Sequence, residues 1–194
     1  MKNSTKIIIG VVAVIAIIAV IVAVVFINKG AKENQKTNLP QVNSAEDLTA
    51  IINKVYEGET SVFPSTQTQT VDVTDNELVQ AFTGLENGND LEYLAVSEPM
   101  ISSQAYSFVL AKVKDGVNAN EVAKQMSEKV NTRKWICVSA EKLYATNSGN
   151  IVCLVMANEQ MAQSVYGKFK TLAGTTGQEY EKTEQLDELP AEMY

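Results

Sequence analysis

The longest apolar run of the chain covers residues 7–27, which contain no charged or strongly polar side chain. At about 1.5 Å per helical residue this run extends about 31 Å, the thickness of the hydrocarbon core of a bilayer. The competing interpretation is a cleaved signal peptide, because Lys2 and Lys6 precede the run. A signal peptide, however, has an apolar region of only about 7–15 residues, followed by a small-residue cleavage site. The pattern therefore predicts an uncleaved transmembrane anchor behind a short basic tail, residues 1–6.

Positive charges flank both sides of this predicted span, so the charge difference across it decides little about orientation. Two lysines precede the span and three follow it: Lys2 and Lys6, then Lys29, Lys32 and Lys36. A short basic tail ahead of an apolar run is typical of an export signal. We therefore expect a single-pass protein of the cell membrane with its large C-terminal part outside the cytoplasm. Ala19 and Ala23 have the spacing that lets two membrane helices pack closely, although alanine is also a common lipid-facing residue.

The composition changes twice beyond the anchor. Residues 28–43 are rich in Asn, Gln and Lys and contain Pro40, which predicts a solvated spacer. Residues 44–174 show periodic hydrophobicity and are long enough for one domain with a real core. Residues 175–194 hold six acidic side chains against one lysine, Lys182. This last composition is typical of an acidic, disordered tail.

Within residues 44–174, capping residues and apolar spacing predict four helices and about four strands. The helices are expected to begin at Ser44, Thr74, Asn118 and Asn158. The strands are expected at Leu91–Val96, Ala105–Val113, Trp135–Tyr144 and Ile151–Ala157. Short connections between them favour an α+β domain, in which an antiparallel sheet of about four strands has its helices on one face.

Composition excludes several classes of function. The chain has no His, 16 basic and 23 acidic residues, and a net charge of −7. Without His, Ser-His-Asp and Cys-His catalysis and most transition-metal sites are excluded. The acidic balance argues against nucleic-acid binding, which requires clustered Lys and Arg. No glycine-rich phosphate loop is present. We assign no catalytic, cofactor-binding or metal-binding residues from the sequence and expect no cofactor.

Three stretches carry a family resemblance: Phe82–Leu85, SEPMISSQAYSFVLAKVKDG (97–116) and TRKWICVSAEK (132–142). With the apolar strand that follows, they resemble a bacterial family known only as a domain of unknown function. That family is typical of Gram-positive, Clostridia-type bacteria and usually follows a lipoprotein signal or a membrane anchor. The resemblance covers about residues 45–173 and implies a membrane-tethered extracytoplasmic domain, without an activity. This chain lacks the Cys that would receive a lipid near its anchor, so its tether would be protein.

Two stretches are candidates for recognition, because loops between rigid elements often carry function. The first is SEPMISSQ, which offers a carboxylate, apolar area and hydroxyls from Glu98, Met100, Ile101, Ser102 and Ser103. The second joins the only Arg to the only Trp, Arg133 and Trp135, and could bind an anionic or sugar-like ligand. The alternatives are an ordinary connecting turn for the first stretch and a Trp packed into the core for the second.

Cys137 and Cys153 both lie in predicted apolar strands. Outside the cell they could form a disulfide, which would stabilise the fold by about 3 kcal/mol in the chain-entropy model. The expected hairpin turn, however, would place Cys153 opposite Tyr144 rather than opposite Cys137. Two buried free thiols are therefore the favoured interpretation.

Three functional hypotheses follow from these patterns. The first is a non-enzymatic, membrane-anchored domain that binds a protein partner or an envelope component. The second is an envelope hydrolase that uses carboxylates, with Glu98 as a participant. The third is a structural subunit of a membrane assembly that packs through Ala19 and Ala23.

Overall fold

The computed structural model describes residues 37–58, 65–101 and 103–184. The predicted anchor, most of the predicted spacer and the last ten residues of the predicted acidic tail lie outside these ranges. Within them, no helix is long and apolar enough to cross a bilayer. The predictions for residues 7–27 therefore stay predictions.

The described residues form four helices and six strands. The helices are α1 (Ala45–Tyr56), α2 (Asn76–Thr83), α3 (Ala119–Lys129) and α4 (Glu159–Ala173). The strands are β1 (Thr66–Val71), β2 (Leu91–Pro99), β3 (Ser107–Val113), β4 (Lys142–Ser148), β5 (Ile151–Ala157) and β6 (Tyr180–Thr183). All six strands join one sheet in the order β1-β2-β3-β5-β4-β6, and every neighbouring pair is antiparallel. The predicted α+β class with an antiparallel sheet is confirmed.

Helices cover both faces of this sheet, so the prediction of helices on one face is wrong. Leu94 and Val96 of β2 belong to the core beneath α2 and α3, whereas Ala95 between them belongs to the core beneath α1 and α4. The reason lies in the two central strands, SFVLAKV and IVCLVMA, which are apolar at nearly every position. A strand without a polar face must be covered on both sides.

The prediction of about four strands is also too low, because both outermost strands are polar. β1 reads TQTQTV and pairs with β2 from Thr66 opposite Pro99 to Val71 opposite Leu94. β6 reads YEKT and pairs with β4 from Tyr180 opposite Ala145. Residues 180–183 therefore belong to the sheet, although the sequence predicts a disordered tail from residue 175. Leu39 and Val42 are buried against the α1 and α4 core, so the domain also begins before residue 44.

The predicted helix starts are largely confirmed. Ser44 and Asp47 form the expected capping box: the Asp47 N–H donates to Ser44 Oγ, and the Ser44 N–H donates to Asp47 Oδ2. Asn118 and Asn158 cap α3 and α4. At α2 the cap is Asp75 instead of the predicted Thr74, because Asp75 Oδ1 accepts the Leu78 N–H. Each cap of this kind stabilises its helix by about 1 kcal/mol.

Candidate functional site

An open groove of about 890 Å³ lies on the α2 and α3 side of the domain. Its walls are formed by α2, by Glu98 near the end of β2, by the end of α3 and by the loop 131–136. We call it the Trp135 groove, because the only Trp of the chain lines it. Its lining includes three apolar side chains, Phe82, Trp135 and Ile136. It also includes three basic side chains, Lys129, Arg133 and Lys134, and two acidic ones, Glu77 and Glu98.

Lys134 makes contacts with several other side chains of this groove. Its Nζ lies 2.5 Å from Glu98 Oε1, and the two side chains are only 14% and 26% exposed. The same ammonium lies 5.0 Å from the ring centroid of Phe82 and 5.3 Å from that of Trp135, both within cation–π range. Burial lowers the pKa of Lys134, while the negative charge of Glu98 opposes that shift. Lys134 thus links β2, α2 and the loop 131–136.

Gly84 determines how closely α2 approaches α3. It ends α2 with a φ of 76°, in the left-handed region that glycine adopts without strain. A Cβ at this position would lie 2.3 Å from the backbone N of Val130 and 2.4 Å from the carbonyl carbon of Lys129. The end of α2 therefore touches the end of α3 directly. This contact fixes one wall of the groove.

Backbone and side-chain hydrogen bonds hold the loop 131–136 against the sheet. The carbonyl of Thr132 accepts the Ala140 N–H at 2.9 Å, and Thr132 Oγ1 donates to Glu184 Oε1 at 3.0 Å. Hydrogen bonds from Lys182 and Thr132, together with the charge of Arg133, lower the pKa of the Glu184 carboxyl. The residue that follows β6 is thus fixed beside the basic side of the groove.

Three residues predicted from two separate stretches meet in this groove: Glu98, Arg133 and Trp135. Trp135 is half-buried and packs against the core with Phe82, as the alternative of a core Trp expects for part of the ring. Its recognition role stays a prediction. Sequence reasoning assigned no contact to Lys134 and overlooked Ile136, which is 71% exposed. The sequence signal that could have indicated the ion pair is two adjacent cations before a Trp, together with an acid, Glu98, near the end of β2.

The other described residues of the predicted SEPMISSQ surface, Met100, Ile101 and Ser103, do not line the groove. Met100 and Ile101 are 70% and 63% exposed and follow directly after β2. Ser103 is exposed in the turn before β3, and Ser102 lies outside the described residues. Pro99 is the last residue of β2 and pairs with Thr66. This turn therefore stays a separate candidate surface.

Both cysteines are free in the structure, and only one of them is buried. Cys153 lies within β5, opposite Thr146 and beneath α1 and α4. Cys137 is exposed, because the strand predicted from Trp135 begins only at Lys142. Its φ is 61°. The expectation of two buried thiols is wrong for Cys137. Burial raises the pKa of the Cys153 thiol well above its usual value, so Cys153 is chemically protected.

Comparisons with protein-family models, curated proteins and solved structures find no match for this chain. The family resemblance of the three stretches therefore stays a prediction. The function of the groove has to be argued from its own side chains.

The chemistry of the groove suits binding. Among the described residues, no group of three or more Cys, Asp and Glu side chains lies close enough to hold a metal ion. The groove offers two aromatic rings and an exposed aliphatic side chain, with three cations and two carboxylates around them. Aromatic and Arg side chains are the types that contribute most to protein interfaces.

Proposed function

We propose that this protein is a single-pass, membrane-anchored extracytoplasmic domain that binds a partner protein of the cell envelope through the Trp135 groove. The observation that carries the proposal is the exposure of Ile136 beside the half-buried Trp135 and the exposed Arg133. Ile136, Trp135 and Phe82 line the same groove as Lys129, Arg133 and Glu77. A continuous apolar surface bordered by charged side chains is typical of an interaction site, whereas a single exposed apolar residue is not.

The ion pair between Lys134 and Glu98 in the groove supports a binding role. Lys134 contacts Glu98 and lies over Phe82 and Trp135, so the position of the Trp135 ring depends on a charge held in place from β2. A site whose side chains are ordered before binding loses less conformational entropy when the partner arrives. The groove therefore has the rigid aromatic anchor that a protein-binding site needs.

The extracytoplasmic location is supported by the sequence. The apolar run 7–27, the polar residues after it and the family resemblance all favour a tethered domain outside the cytoplasm. The predicted role as a subunit of a membrane assembly depends on Ala19 and Ala23, which lie outside the described residues.

The hydrolase hypothesis has less support than binding. Two carboxylates, Glu77 and Glu98, do line the groove. Glu98, however, is committed to Lys134 at 2.5 Å, and its Oε1 is buried. A carboxylate that acts as an acid, base or nucleophile must face the substrate. Glu98 is better explained as the residue that positions Lys134.

The binding proposal is tested by site-specific photo-crosslinking in intact cells. A photo-reactive amino acid replaces Ile136 in the groove or, as a control, Gln163, which is exposed on α4 on the other side of the sheet. We expect one discrete adduct from position 136 and none from position 163. Arg133→Glu in the same chain should remove that adduct, because it reverses a charge at the groove.

The same experiment can contradict the proposal. Equal adducts from both positions, or an adduct unaffected by Arg133→Glu, would show that the groove does not select a partner. Location is measured separately with an epitope after Tyr194 and protease added to intact or lysed cells. Loss of the epitope from intact cells is expected, and protection until lysis would place the domain in the cytoplasm.

A further inference from the structure

The chain leaves the described part of the domain next to the Trp135 groove. Glu184 is the last described residue, and its carboxylate accepts the hydrogen bond from Thr132. Thr132 directly precedes Arg133, which lines the groove. Any segment that follows Glu184 therefore starts at the basic side of this groove.

The ten residues after Glu184 read QLDELPAEMY (185–194) and lie outside the described residues. Their sequence combines three acids with apolar side chains at close spacing. The acids are Asp187, Glu188 and Glu192, and the apolar residues include Leu186 and Leu189. Two carboxylates, Glu77 and Glu98, also line the groove, and Glu98 is paired with Lys134. The acids of the segment therefore complement the other two cations, Lys129 and Arg133, while its leucines complement Trp135 and Ile136.

We propose that the segment 185–194 of the same chain occupies the Trp135 groove and competes with the partner for it. The inference rests on the proposed binding function, since it assigns that site a regulator. The charges of Asp187 and Glu188 match those of Lys129 and Arg133, and the side chains of Leu186 and Leu189 match the apolar lining. The partner is then expected to present a similar peptide, acidic with aliphatic side chains.

The tether gives this competitor an advantage over a free peptide. At about 3.3 Å per extended residue the segment reaches about 33 Å from Glu184, which is ample for a groove that begins at the neighbouring loop. A short flexible tether produces an effective concentration on the order of 1 mM. If the free peptide binds with a Kd of about 0.1 mM, the tethered segment lowers the affinity for the partner about tenfold.

The first test measures where the segment lies in the full chain, purified in detergent micelles without a partner. A nitroxide maleimide is attached to Cys137, which is exposed two residues from Trp135, whereas Cys153 is fully buried. We expect strong paramagnetic broadening of the NMR signals of residues 185–194, relieved in the chain that carries Lys129→Glu and Arg133→Glu. Unbroadened signals, or broadening unchanged by the charge reversal, would overturn the proposal.

A mixing control separates the cis arrangement from exchange between two copies. One chain carries the nitroxide without isotope, and the other carries the isotope without nitroxide. Broadening in the mixed sample would show that the segment binds a second copy and would overturn the proposal as stated. Its absence, with broadening in the singly labelled chain, supports the cis arrangement.

The second test measures competition and keeps the two proposals separable. A chain that ends at Glu184 should show more acrylamide quenching of Trp135, the only Trp, than the full chain. A synthetic peptide of residues 185–194 should restore the protection, and a Kd of about 0.1 mM would correspond to the tenfold effect on partner binding. The shortened chain should also give about tenfold more crosslinked partner through position 136 at low partner concentration.

The outcomes divide cleanly between the two proposals. Paramagnetic broadening without any crosslinked partner would contradict the proposed function and leave the intrachain contact standing. Crosslinking that is equal in the full and shortened chains would contradict the regulatory inference and leave the binding function standing. Loss of structure on shortening would be detected by circular dichroism, in which case the full-length charge-reversal variant decides.

Discussion

Gly84→Ala tests the contact between α2 and α3 that forms one wall of the groove. The substitution destabilises the fold in two ways, through the backbone conformation and through steric overlap. Gly116→Ala is the control that has only the first effect. Both glycines have a left-handed φ, 76° and 84°, but nothing lies within 4 Å of a Cβ at Gly116, whereas a Cβ at Gly84 would lie 2.3 Å from Val130 N. Alanine in this conformation costs about 1–2 kcal/mol at either position. The overlap with backbone at Gly84 adds about 1–3 kcal/mol, as overpacking does elsewhere.

The assay is urea unfolding of the full chain in micelles, followed by the fluorescence of Trp135. We expect Gly116→Ala to lower the free energy of unfolding by about 1–2 kcal/mol and Gly84→Ala by about 2–5 kcal/mol. The emission of the folded Gly84→Ala protein should also shift to the red, because displacement of α2 exposes the ring. Losses that agree within about 0.5 kcal/mol would refute the close contact, since that is the effect of an ordinary surface substitution.

Three further predictions concern the groove and the cysteines. Lys134→Met should lower the free energy of unfolding by about 1–3 kcal/mol, because it leaves the buried Glu98 carboxylate without its cation. Adding Glu98→Gln to Lys134→Met should recover part of this loss. Additive losses in this double-mutant cycle would contradict the ion pair. Because burial lowers the pKa of Lys134 below 10.5, the unfolded chain binds more protons above the folded pKa. The stability of the wild type relative to Lys134→Met should therefore rise as the pH approaches 10.5, and a falling difference would refute this sign. Maleimide should modify Cys137 in the folded protein and Cys153 only after unfolding. Mass spectrometry of partially labelled protein identifies which cysteine carries the label.

The elements with a local signal could be predicted from the sequence. The N-caps and apolar stripes of α1, α3 and α4 are set by residues within one or two turns. The run IVCLVMA identifies β5 in the same way, since a continuous apolar run of this length is typical of a central strand.

The outer strands could not be predicted in this manner. TQTQTV and YEKT have no apolar alternation, and they form strands because β2 and β4 provide backbone partners. Helices on both faces, by contrast, had a signal in the sequence, although we predicted helices on one face. The strand SFVLAKV is apolar at both parities, which a sheet with one solvated face does not allow.

Individual residues of the candidate site were predicted from the sequence, but their association was not. Glu98, Arg133 and Trp135 were chosen for their chemistry, but Glu98 is distant in sequence from the other two, and no local rule joins them. Their meeting depends on the pairing of β2 with β3 and on the approach of α2 to α3 at Gly84. Lys134 illustrates the limit, because its role depends on contacts with three different elements.

The two borders of the sheet differ in how well they resist growth by addition of another strand. β6 is four residues long and carries Glu181 and Lys182, and short charged borders discourage pairing with other chains. β1 is longer, carries no charge and no proline, and presents Thr and Gln side chains that tolerate stacking. At high concentration, self-association of this domain should therefore begin at β1, and a lysine in place of Gln69 is the change that would block it.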